Sequence, residues 1–155
     1  MVIHSIKIGT RTLLWCVVVA LMITALCFSA SHVSDGRPLE TLADGSDNAK
    51  RIAFLSSYGW QIREEAIEIR DVVIPLEFGD VYRHYNEIQR AQNCDLEPYR
   101  GKVVRRYSYE VLNYPDADVP VRANLLLYEG EIIGGDICSV RLDGFMHGFA
   151  PVNEE

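Results

Sequence analysis

The stretch that decides the fold is residues 121–139, VRANLLLYEGEIIGGDICS. Two apolar runs rich in strand formers flank Glu129-Gly130, and a glycine at the second loop position allows a positive φ without steric cost. The pattern predicts a β-hairpin with a two-residue turn. That turn predicts a register of Leu127 with Ile132, Leu125 with Gly134, Ala123 with Asp136 and Val121 with Cys138. The face so defined is mostly apolar, so it should be the core face. Cys138 would then lie inside, and Asp136 at the core margin.

Working outward, residues 103–114 (VVRRYSYEVLNY) alternate Tyr107, Tyr109 and Val111 with Arg106, Ser108 and Glu110, the period of a strand. The loop 115–120 (PDADVP) joins this strand to the hairpin. Residues 95–102 (DLEPYRGK) read as loop. Before them, Phe78, Val81, Tyr85 and Ile88 recur at helical steps, predicting a helix from Glu77 or Asp80 to Gln92 with Asn93 as a left-handed cap. Residues 66–74 (AIEIRDVVI) predict a strand ended by Pro75, with Val72, Val73 and Ile74 buried on both sides. A first helix, 48–58, follows a cap at Ser46 or Asp47 and places Ile52 and Leu55 on one face. The result is an α+β domain over residues 47–155, with two helices packed on one face of an antiparallel sheet that ends in a three-stranded meander.

The first thirty residues have another character. Residues 12–30 (TLLWCVVVALMITALCFSA) carry no charge and would span about 28 Å as a helix. Lys7 and Arg11 precede them in a short N-terminal segment, 1–11, without acids. A transmembrane signal anchor with its N-terminus in the cytoplasm is expected, with a cleaved signal peptide as the competing reading. Residues 31–46 read as a flexible linker. All 22 acids and 13 of the 15 Lys and Arg lie beyond residue 31, so the extracytoplasmic part carries a net −9. It has no basic stripe, which argues against nucleic acid as a partner. The expected partners are the membrane, through the N-terminal helix, and an unidentified envelope protein or ligand.

Several stretches together resemble a known family: RIAFLSSYGWQI, VVIPLEFGDVYRHYNEIQ, CDLEPYRGKVVRRYSYEVLNYP, VRANLLLYEGEIIGGDICSV and DGFMHGF. They are similar to the bacterial domain of unknown function 4830, over about residues 50–149. The resemblance implies a small exported protein, single-span or signal-bearing, with a tethered C-terminal domain. It implies no activity and no catalytic residue. Asn93-Cys94 departs from the family pattern, where a glycine and an apolar residue are expected. That departure speaks against a disulfide as a shared feature.

Few residues carry chemistry. Asp136, Asp143 and His147 could converge if the tail folds back along the hairpin, as a binding site, an acid–base centre or a metal site. Their spacing matches no metal motif, and no cofactor is called for. Cys138 with His147 could be a nucleophile and base, although a buried strand thiol is the simpler reading. Cys94 and Cys138 could form a disulfide in an oxidising compartment. Tyrosines 82, 85, 99, 107, 109, 114 and 128 could line an aromatic groove. Leu142, Phe145 and Phe149 are expected to cover the hairpin edge, with His147 pointing outward. The leading reading is a membrane-tethered, extracytoplasmic binding or envelope-associated module without catalysis. The alternative is a small hydrolase or metal-dependent enzyme using Asp136, Asp143 and His147.

Overall fold

The structure, a computed structural model, describes residues 42–115 and 118–152. The expected transmembrane helix, 12–30, lies outside these residues. Among the described residues no helix is long and apolar enough to cross a membrane. In chain order the elements are β1 (Ala43–Asp44), α1 (Asn48–Ser57), β2 (Glu68–Val73), α2 (Asp80–Ala91), β3 (Val103–Val111), β4 (Val121–Tyr128), β5 (Glu131–Ser139) and β6 (Met146–His147). Among the described residues a 3-10 turn, Glu97–Tyr99, precedes β3. The antiparallel sheet runs β1-β5-β4-β3-β2, with β6 also on β5. Two helices and a six-stranded antiparallel sheet make an α+β domain. It begins inside the stretch expected to be linker, because Ala43 pairs with Ile132 and packs on the core.

The central hairpin turns as expected. Glu129 (φ 52°) and Gly130 (φ 90°) are both left-handed, as a tight two-residue turn with matching twist requires. Tyr128 faces Glu131 and Leu127 faces Ile132. Beyond that pair the register departs from expectation. A bulge inserts Ile133, so that Leu126 faces Gly134, Leu125 faces Gly135, Ala123 faces Ile137 and Val121 faces Ser139. The side chains of Asp136 and Cys138 therefore leave the face of Ala123 and Val121 for the opposite one. The physical reason is apolar burial. The bulge puts Ile132 and Ile137 on the same side, with the α1 core, while Ile133 joins the other. An uninterrupted ladder would have set Asp136 beside Ala123 among hydrocarbon, at a cost of several kcal/mol for an unpaired carboxylate.

The helices cover opposite faces of the sheet, not one. Leu55 of α1 and Trp60 pack on Tyr109, Val121, Leu125 and Ile137. Phe78 and Leu96, on either side of α2, pack on Val104, Leu126 and Ile133. The central strand β4 is buried on both faces, which the unbroken Leu125-Leu126-Leu127 run permits and a period-two reading misses.

In α1, Asp47 accepts the cap bond from Lys50 N–H at 2.9 Å. Its buried face includes Arg51, whose guanidinium donates to Tyr109 Oη (2.8 Å) and Gly45 O (2.6 Å) and lies 3.9 Å over the Tyr107 ring. In α2 the expected stripe shifts. Val81 is exposed, while Asn86 and Gln89 are buried. Both amides serve backbone. Asn86 Oδ1 accepts from Leu96 N–H, and Gln89 Oε1 accepts from Gly135 N–H at 2.8 Å. Gln92 Nε2 donates to Gly135 O at 2.9 Å. Between β1 and β6, then, two glutamines satisfy the open edge of β5 in place of a strand. Asn93 takes the left-handed conformation expected of it, φ 62°. In β2, Val73 is exposed rather than buried on both sides, because β2 is the outermost strand.

Candidate binding groove

The tail returns along β5 as β6, pairing Ile137 with His147 and Cys138 with Met146. Ser139 N–H donates to Phe145 O at 3.1 Å. This closes the hairpin edge as expected, but with different side chains in the roles. Phe149 is fully buried, whereas Leu142 is fully exposed, since the turn that carries it stands off the sheet. His147 does not point outward. It enters an aromatic stack with residues from three parts of the chain.

Trp60 follows the end of α1, and its Nε1 donates to Phe149 O at 2.6 Å. The Tyr114 ring, just after β3, lies parallel to it at 5.6 Å. Phe145 stacks on Tyr114 at 4.5 Å, and His147 lies 5.7 Å from Phe145. His147 Nδ1 is 2.7 Å from Gly148 O, a pure acceptor, so this nitrogen carries the proton. Its Nε2 lies 3.2 Å from the Tyr114 hydroxyl.

These rings line an open groove of about 1260 Å³, larger than the usual small-molecule site of about 300–1,000 Å³. Pro115, Met146, Pro151 and Val152 extend its apolar wall. The Arg141–Asp143 ion pair (3.3 Å) and Asp118 stand on its rim. Ser139 also lines it, nine-tenths buried and with its hydroxyl unpaired. Of the tyrosines considered from sequence, Tyr114 reaches the groove through its position before Pro115, and Tyr58 joins it unforeseen. Trp60 and Ser139 were not singled out from sequence. The only signal for them is their nearness to Gly59 and to the strand end.

Asp136 is elsewhere. It is buried on the α2 side, accepting from Tyr85 Oη (2.9 Å) and Asn124 Nδ2 (2.8 Å). Asn124 Oδ1 accepts in turn from Ser108 Oγ at 2.6 Å. Burial first, then the Asp136 charge, push the Tyr85 hydroxyl far above its ordinary pKa. The same two causes push the Cys138 thiol up to about 12. The structure thus brings Asp143 and His147 to one groove and leaves Asp136 on the other face of the sheet. Cys138 and His147 are separated in the same way, Cys138 accepting from Asn124 Nδ2 at 3.3 Å and His147 engaging Tyr114. No disulfide joins Cys94 and Cys138: the bulge turns Cys138 onto the polar network, and Cys94 lies in the turn after α2. Among the described residues no group of three or more His, Cys, Asp or Glu is placed to hold a metal ion.

No curated protein and no solved structure matches the chain. One family model does, over residues 54–137, from the middle of α1 to Ile137 of β5. It spans Trp60 and Tyr114 and stops short of Ser139, Phe145 and His147, so half the groove is built from sequence beyond it. With more than half its length matched, the chain belongs to the family described as domain of unknown function DUF4830.

Proposed function

We propose that the protein is a membrane-tethered, extracytoplasmic binding module whose groove takes an extended peptide segment presenting proline or aromatic side chains. One observation carries the reading: an aromatic stack, Trp60, Tyr114, Phe145 and His147, floors an open groove. Flat rings and prolines gain from stacking on such a floor. Met146 supplies adaptable apolar contact at the wall. The tether is the uncharged run 12–30, oriented by Lys7 and Arg11. The enzyme alternative is less favoured because its three residues divide between the two faces of the sheet.

The test is site-specific crosslinking of the anchored full chain in its own membrane. A photo-reactive side chain at Met146 should yield one discrete adduct. Phe145→Ala should abolish it, while Val81→Ala, on α2 far from the groove lining, should leave it intact. An adduct that persists in Phe145→Ala would overturn the reading.

A further inference from the structure

The two long edges of the sheet are treated differently. The edge of β5 is closed by β1, by β6 and by Gln89 and Gln92. The opposite edge, β2, pairs only with β3 among the described residues. Ile74 N–H turns inward to Lys102 O, so the alternation of an antiparallel ladder turns the N–H and C=O groups of Ile69, Asp71 and Val73 outward. Beside this open row stands apolar surface. Ile69 is 59 % exposed, Val73 62 % and its cross-strand neighbour Val103 58 %, all on the α1 side of the sheet. The edge's charges are already matched within the chain: Arg70 with Glu68 at 2.6 Å, Asp71 with Arg105 at 2.8 Å and Arg106 with Glu68 at 2.7 Å. They form no single-sign barrier of the kind that keeps edges apart.

We propose that β2 pairs antiparallel with β2 of a second copy, about a twofold axis through Asp71 normal to the sheet, so that two sheets become one. The strand's own self-complementarity names the occupant. A twofold normal to the sheet keeps its faces matched, so residues of like parity oppose. Centred on Asp71, the register sets Ile69 against Val73 of the second copy twice, apolar on apolar, and joins every outward backbone group from 69 to 73. Centred on Arg70, it would set Ile69 against a carboxylate. Centred on Ile69, it would need residues 65–67 as strand, where the chain bends. The two Asp71 carboxylates meet at the axis, each held by its own Arg105, so the row arginine–carboxylate–carboxylate–arginine is neutral.

The experiment is sedimentation equilibrium of the full chain in detergent micelles. The wild type should be a dimer. Ile69→Lys with Val73→Lys opposes like charges twice and should weaken association at least tenfold. Ile69→Lys with Val73→Glu places the introduced lysine against the introduced glutamate of the second copy and should restore it. Both positions are exposed, so the circular dichroism spectrum should stay that of the wild type, and Val81→Lys on α2 should leave the dimer unchanged. A monomeric wild type overturns the proposal. So does a dimer indifferent to the double lysine, which would place association outside β2, or a lysine–glutamate variant that stays monomeric.

Discussion

At the scale of single residues, the molecule separates polar groups that hold the fold from polar groups that face the groove. Asp136 belongs to the first kind. Its carboxylate accepts from Tyr85 and Asn124, so Asp136→Ala leaves two buried donors unmatched. The expected loss is about 2–6 kcal/mol in a urea melt, at about 1–3 kcal/mol for each of the two stranded groups. A loss under about 1 kcal/mol would mean that water reaches the network. Cys138 adds a pH dependence. Its thiol pKa is raised from 9.0 to about 12, so the folded state holds the proton more tightly than the unfolded chain does. The stabilisation is complete below pH 9 and is lost as pH rises from 9 towards 12. Tyr85 and Tyr82, also raised by burial, act in the same direction. Stability should fall across that window, and less steeply in Cys138→Ala, as read by melts at successive pH values. His147→Ala removes a ring from the edge of the stack and should alter groove binding more than stability. Phe145→Ala should lower both.

At the scale of elements, the β5 bulge organises the rest. It sends Ile132 and Ile137 to one core and Ile133 to the other, and it sets Gly135 under the tail. A Cβ on Gly135 would stand 2.1 Å from Asn124 O and 2.7 Å from Phe149 Cζ, a clash that backbone must absorb. Gly135→Ala should therefore prevent stable folding, judged by loss of a cooperative melt. Leu127→Ala, on the central strand, should cost about 2–5 kcal/mol. Gln89→Leu should cost about 1–3 kcal/mol by stranding Gly135 N–H, although nothing in an apolar-periodicity argument marks Gln89 as buried. A polar residue earns its burial here through the backbone it satisfies.

At the scale of the whole molecule, the anchor reading makes one sharp claim. The mature protein should fractionate with membranes and keep its original N-terminus. Edman sequencing that finds a new N-terminus near Ala30 or His32 would replace the anchor with a cleaved signal. If the anchor holds, copies share a membrane plane, which raises their effective concentration for the β2 pairing.

Features that depend on neighbours along the chain were legible in the residues alone. The Glu129-Gly130 turn, the Asp47 cap, the left-handed Asn93, both helices and the β2 to β5 strands follow from local sterics and local hydrogen bonds. So does the choice of Leu125 and Leu127 as core. Tertiary structure alone decided the register beyond Leu127, because a bulge moves by where hydrophobic side chains find room, and that room is made by α1 and α2 together. It decided that the helices lie on opposite faces, since one amphipathic stripe does not say which side of a sheet it meets. It decided the groove as well. Trp60, Tyr114, Ser139, Phe145 and His147 are scattered over nearly ninety residues, and only the return of the tail along β5 stacks them together.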